Sequence, residues 1–150
     1  MNFVPYKAEH MAGLDLQDGQ ARIGPYLAKD YAEALESAKN MHTFTGVHDG
    51  RVIVIAGLID THKGTAVAWV LLGKGAGKHF LAIHRGARRC LDHFQNMGRL
   101  RIEIDADLDV SPEFDTIPRW AKMLGFELEA PRMRKCRPDG GDCAKYARIR

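Results

Sequence analysis

AVAWVLLGKGAGKHFLAIHRGARRCLDHFQNM, residues 66–97, is the stretch that decides the fold. It opens on an unbroken apolar run over 66–72 that is rich in β-formers. Gly73-Lys74-Gly75-Ala76-Gly77-Lys78 follows, and then a segment with helical period. Phe80, Ile83, Ala87, Cys90, Leu91, Phe94 and Met97 recur at helical spacing, which predicts one long helix from about Lys78 to Met97 with that stripe inward. Arg85, Arg88, Arg89 and Asp92 fall elsewhere on the wheel, and Gly98 is a natural stop. Strand, glycine turn and helix in this order make an anion-binding unit. Glycines let backbone N–H groups approach a ligand, and the helix N-terminus adds partial positive charge. The turn therefore suits a phosphate or pyrophosphate. Two common nucleotide motifs are excluded. A P-loop needs glycine where Leu72 stands and Ser or Thr where His79 stands, and the spacing G-x-G-x-x-G fails at Lys78.

Upstream of this unit, residues 41–48 and 51–59 read as strands flanking Asp49-Gly50, a dipeptide favoured in tight hairpins. Val52-Ile53-Val54-Ile55 shows no polar alternation, as expected of a strand buried on both faces. With 65–72 these form an antiparallel meander. Nearer the N-terminus, residues 3–6 read as a strand, 8–14 as a helix and 17–24 as a loop turning at Asp18-Gly19. Pro25 then opens a helix whose apolar face is Tyr26, Leu27, Tyr31, Ala34, Leu35 and Ala38. Downstream, 100–105 alternates as a strand, 107–115 is an acidic loop and 117–124 is a short helix closed by Gly125. Strands at 126–128 and 145–149 end the chain. The order β-α-α-β-β-β-α-β-α-β-β predicts an α/β (α+β) fold: a mixed, largely antiparallel twisted sheet flanked by about four helices.

The chain has 150 residues, of which 45% are hydrophobic and 27% charged, enough to build one domain with its own core. That composition excludes a disordered chain, and the longest apolar run, seven residues, excludes a membrane-spanning helix. Met1-Asn2-Phe3-Val4 lacks a basic leader, and three cysteines are few and odd in number; both predict a cytoplasmic protein with reduced thiols. No metal site is expected. Cys136 and Cys143 have no Cys-x-x-Cys partner, Cys90 with His93 lacks further ligands, and Asp105, Asp107 and Asp109 lack the glycine and glutamate of a calcium loop. The net charge of +3 conceals an asymmetry. Residues 1–50 carry four basic against seven acidic side chains, whereas residues 131–150 carry seven against two. Such a basic end can attract nucleic acid or an acidic partner, but only Tyr146 offers it an aromatic, so stacking on single strands is not expected.

Element order and glycine turn together resemble the GNAT superfamily, the Gcn5-related N-acetyltransferases. Gly73-Lys74-Gly75-Ala76-Gly77 is similar to that family's pyrophosphate turn, and Leu124-Gly125-Phe126 to the ending of its short helix before the next strand. The resemblance implies that Leu72, Gly73, Lys74, Gly75, Ala76, Gly77 and Lys78 bind acetyl-CoA or CoA, with transfer to a small amine or a protein lysine. The layout also resembles small GNAT-like proteins of podovirus-type tailed phages, which implies a host-protein partner, host cytoplasm or virion as alternatives. The departures are specific. Leu72 replaces the arginine or glutamine before the glycines, and Ala121 stands where a proton-donating tyrosine is usual, beside Trp120, which has no transferable proton. For the remaining chemistry the candidates are Glu103 and Asp105 as base, on the strand face opposite Ile102 and Ile104, and Tyr146 as acid. His79 at the helix start is placed to meet a phosphate. Two readings follow: an acetyl-CoA-dependent N-acetyltransferase, or a catalytically reduced GNAT-like binding protein. A third, a nucleic-acid accessory protein acting through the basic tail, predicts steep salt dependence.

Overall fold

Asp49 and Gly50 both take positive φ, 48° and 73°, and close the expected hairpin between β2 (Met41–His48) and β3 (Arg51–His62). The structure is a computed structural model that describes residues 1–110 and 116–150. β4 (Thr65–Leu72) completes the antiparallel meander, and β1 (Asn2–Pro5) pairs with β2 on its other side. A 3-10 turn (Ala76–His79) leads into α3 (Phe80–Asn96), after which β5 (Arg101–Asp107) returns parallel to β4. β6 (Glu127–Met133) and β7 (Cys143–Ile149) close the seven-stranded sheet, in the order β1-β2-β3-β4-β5-β7-β6. Before the meander stand α1 (Ala8–Ala12), a 3-10 segment (Asp18–Tyr26) and α2 (Lys29–Ser37); α4 (Ile117–Met123) follows β5.

Strand alternation divides the side chains between two layers. On one face, Leu91 and Phe94 of α3, Ala121 of α4 and Leu124 just past it pack on Leu58, Ala66, Ile102, Ala106, Ala144 and Tyr146. On the other, Met11, Ala32 and Leu35 pack on Tyr6, Ile55 and Leu71. The α4 end is set by Gly125 at φ +87°. Its N–H bonds the Lys122 carbonyl and that of Phe126 bonds the Ala121 carbonyl, the Schellman pattern that a non-glycine would strain.

Several local expectations are corrected. Of the expected loop over 17–24, residues 18–24 belong instead to the 3-10 segment, which contains Pro25; α2 begins only at Lys29. Leu27 departs from helical geometry (φ −98°, ψ 44°) and separates the two. The ends of the α3 stripe, Phe80 and Met97, are exposed, the Phe80 ring lying edge-on to Trp120. Cys136 and Cys143 are joined in a disulfide, their Cα atoms 6.0 Å apart where the β6–β7 connection doubles back, so only Cys90 keeps a free thiol. Burial pushes that thiol up to about 11, which disfavours the thiolate form. Of the expected acidic loop, residues 111–115 lie outside the described residues.

Two polar braces tie the layers. The Tyr6 hydroxyl donates to the Ala32 carbonyl (3.1 Å), fixing α2 to the sheet. At the opposite end Asp60 accepts two bonds from Arg99, at 3.0 and 2.8 Å, with His42 Nε2 at 2.9 Å. The Arg99 bonds above all hold the Asp60 carboxyl at about 2, below its ordinary 3.8. A depressed folded-state pKa contributes stability that is complete above about pH 4 and is lost as pH falls through about 2. In urea unfolding over a pH series, Arg99→Met is expected to remove about 1–2 kcal/mol of that acid-limb dependence, the smaller end reflecting partial exposure of Asp60. Identical pH slopes in the two proteins would refute this role.

Candidate active site

β4 and β5 pair over only three positions, Thr65 with Arg101, Ala66 with Ile102 and Val67 with Glu103. Beyond Val67, β4 stays bonded to β3 and β5 to β7, so the two strands part and open a V in the middle of the sheet. The edge of β4 that faces the V follows from alternation. Gly73 N–H bonds Ile53 of β3, so Val70 and Leu72 present their N–H and C=O groups to the other side. Val70 O, Leu72 N–H and Leu72 O are bonded there by Gln17 and Gln20 of the chain itself.

The glycine turn lies at the mouth of this V, and its three glycines serve different ends. A Cβ on Gly73 would lie 3.0 Å from the Ile53 carbonyl oxygen and 3.3 Å from Leu14, so a side chain there would crowd the backbone and force its neighbours to shift. A Cβ on Gly75 would meet only Ile53 Cδ1 at 3.8 Å, and one on Gly77 would meet nothing within 4 Å. Neither has positive φ, so the fold does not require glycine at either. Among the described residues, no acceptor is bonded to the Gly75 or Gly77 N–H. Unfilled space and free donors coincide with the N-terminus of the seventeen-residue α3. There an open groove of about 430 Å³ is lined by Gly77, Lys78, His79, Phe80, Leu81 and Arg85, among others. Its cationic rim and apolar floor fit an anionic ligand with a flat or apolar end. Lys74 turns aside toward Asp15 (3.4 Å), and Ala76 is buried beneath the turn.

The expected acid–base residues separate. Glu103 and Asp105 share the α1/α2 face of β5, whereas Tyr146 of β7 is 5% exposed within the core under α3 and α4. Tyr146 is thus a packing residue of the opposite face. Glu103 is bound by Lys145 Nζ (2.8 Å) and Arg101 Nε (2.7 Å), and the Lys145 bond foremost holds its carboxyl below the usual range. A carboxylate so stabilised is a poor proton acceptor. Asp105 is freer: it stands past the parting of the strands, half exposed, with Lys145 at 3.4 Å. Ala121, at the slot of the expected acid, is 2% exposed and faces the core. Next to it, the Trp120 indole N–H donates to His84 Nδ1 (3.1 Å), which places the proton of a neutral His84 on Nε2.

Residues with no signature in the sequence also reach the V. The Gln20 side chain bonds both Val70 O (2.9 Å) and Leu72 N (2.7 Å), and Arg22 bonds Asp107 at the end of β5. The basic C-terminal residues, by contrast, are mostly neutralised in place. Arg132 bonds Asp109 and Asp142, Arg137 bonds Asp139, Lys145 bonds Glu103, and Arg148 bonds Asp92. Paired in this way, those side chains are poorly available to nucleic acid phosphates. Among the described residues, no helix is long and apolar enough to cross a membrane.

No protein-family model matches the chain, and no curated protein matches it in sequence. Solved structures do match in fold. An acetyltransferase of the GNAT family from Bacillus anthracis superimposes with a TM-score of 0.71 at 14% identity, over 98% of this chain and 93% of that one. A mutant of spermidine N-acetyltransferase SpeG from Vibrio cholerae gives 0.71 at 13%, over 99% and 95%. AAC(6')-Ib in complex with ribostamycin and coenzyme A gives 0.70 at 14%, over 99% and 93%. At these identities the likeness is one of architecture. The chain has the GNAT fold, with its mixed, mostly antiparallel sheet and parted central strands.

Proposed function

We propose that this chain is an N-acetyltransferase that takes acetyl-CoA as donor and an amine as acceptor. The single observation that carries the reading is spatial. The parting of β4 and β5, the unfilled glycine positions and the α3 N-terminus converge on one mouth. The fit of the donor rests on the space at Gly75 and Gly77, where a Cβ would intrude and where free N–H groups meet a pyrophosphate. Lys78 and Arg85 add positive charge, and the Val70 and Leu72 backbone groups suit the amides of an extended arm. The solved complex of AAC(6')-Ib with coenzyme A supports this choice of donor. When bound, acetyl-CoA supplies an acetyl group activated as a thioester.

The chain's own part is to bind, orient and accept a proton. An ammonium acceptor must lose a proton before its nitrogen can attack, and Asp105, half exposed and held only by the longer Lys145 contact, is the carboxylate best placed to take it, directly or through water. Asp107, Asp109, Asp139 and Asp142 are each paired with Arg22, Arg132 or Arg137, so Asp105 is the carboxylate that would attract a cationic amine, whether a polyamine-like small molecule or a protein lysine. Thiol release from acetyl-CoA, measured with a panel of polyamines, aminoglycosides and lysine peptides, tests the reaction. Asp105→Asn is expected to lower kcat by about 100-fold with little change in acetyl-CoA affinity. Undiminished kcat would remove Asp105 from the mechanism.

A second reading has one observation in its favour: Ala121 and Leu72 lack the proton donor and the phosphate ligand usual in the fold. On that reading the chain binds CoA without turnover and serves as a partner-binding protein, of the kind tailed phages direct at host proteins. Saturable CoA binding with no thiol release from any amine in the panel would favour it.

A further inference from the structure

The V is not open along its β4 edge, and what lies there is the chain itself. Residues 15–20 run antiparallel along the end of β4, with Lys74 N–H donating to Asp15 O (2.8 Å) and Gln17 N–H donating to Leu72 O (2.9 Å). Leu16 and Gly73 form an isolated antiparallel bridge. The Gln20 side-chain amide then completes the edge. Its Nε2 donates to Val70 O and its Oε1 accepts from Leu72 N–H, so one primary amide satisfies the two groups that a neighbouring strand would have paired. From there the 3-10 segment crosses the V. Arg22 bonds Asp107 of β5 and lies 3.6 Å from Asp139, and the Tyr26 hydroxyl reaches the Pro138 carbonyl (3.5 Å) in the β6–β7 connection.

We infer that residues 17–26 form a displaceable strap, with Gln20 occupying the β4 edge in place of the amide arm of the acyl donor. The inference rests on the acetyl-CoA reading above. A peptide-like arm offers a carbonyl and an N–H to Val70 and Leu72 only if the Gln20 amide leaves, because each group is already bonded on that edge. Exchange of one amide for another keeps the edge satisfied throughout, so closure and binding differ little in hydrogen bonding and the strap can be displaced reversibly. Its far end is tethered by Arg22 and Tyr26, and its one apolar contact with the core is Ile23, which is only partly buried; none of residues 18–26 is fully buried. Donor binding therefore competes with closure, and the apparent affinity is reduced by the fraction of molecules that are closed.

Two measurements decide this. In calorimetric titration with CoA, Gln20→Ala, and separately Gln20→Glu, which retains an acceptor for Leu72 N–H but loses the donor to Val70 O, are expected to bind about fivefold or more tightly than wild type. In hydrogen exchange on the wild-type chain, saturating CoA is expected to speed exchange across residues 17–26 while slowing it at the glycine turn. The exchange result uses no variant and stands even where a substitution impairs folding. Unchanged or weaker CoA binding by a folded variant, or unchanged exchange at 17–26, would overturn the strap and leave the CoA site intact. CoA binding absent in wild type and variants alike would overturn the acetyl-CoA reading and the strap with it.

Discussion

Gly75→Asp is expected to weaken CoA binding by at least about 100-fold while moving the thermal midpoint by no more than about 3 °C. The added Cβ meets only Ile53 Cδ1, at an ordinary 3.8 Å, and the backbone there has φ −85°, which any residue adopts. The fold therefore tolerates the change. The ligand does not: a carboxylate would project into the space reserved for phosphate, opposing its charge at the helix N-terminus. Gly73→Ala makes the contrast. Its Cβ would press on the Ile53 carbonyl at 3.0 Å and on Leu14, so it should cost about 1–3 kcal/mol of stability. Gly75→Asp that binds CoA normally would separate the glycine turn from ligand binding altogether.

Ile102→Ala is expected to produce the largest loss of stability, about 3–4 kcal/mol, with a fall in midpoint of about 10 °C. Ile102 is fully buried and pairs with Ala66, itself fully buried, at the middle of the three positions that join β4 to β5. Its side chain belongs to the cluster that holds Leu91 and Phe94 of α3 against the sheet. Truncation leaves a cavity where the sheet is joined most narrowly, so the apex of the V loosens and donor affinity should fall along with stability. A loss below about 1 kcal/mol in chemical denaturation would show that the apex relaxes freely and that the cluster does not depend on it.

The elements with strong local signals were legible in the sequence. Asp49-Gly50 dictated its hairpin through positive φ, the spacing of Ile83, Leu91 and Phe94 set the buried face of α3, and Leu124-Gly125-Phe126 carried the Schellman end of α4. The site was legible in part. The glycine turn announced itself, yet composition could not separate Gly73, crowded by its neighbours, from Gly75 and Gly77, which are not. The parting of β4 and β5 was hidden because it depends on a three-residue pairing between segments far apart in sequence. Tyr146 read as a candidate acid because neighbouring residues of β7 are buried on both faces, which erases the alternation that would have shown its direction. Gln20 left no trace. A single glutamine in a polar segment has no period, and its importance arises only from Val70 and Leu72, fifty residues away along the chain.

Calorimetric titration of the wild-type chain with acetyl-CoA and with CoA tests the donor site at the glycine turn directly. Both are expected to bind saturably, near one molecule per chain, and more weakly at raised salt, as expected of a pyrophosphate held by Lys78, Arg85 and the α3 N-terminus. No binding of either at millimolar concentration would contradict that site, leaving a GNAT fold whose glycine turn serves some other ligand.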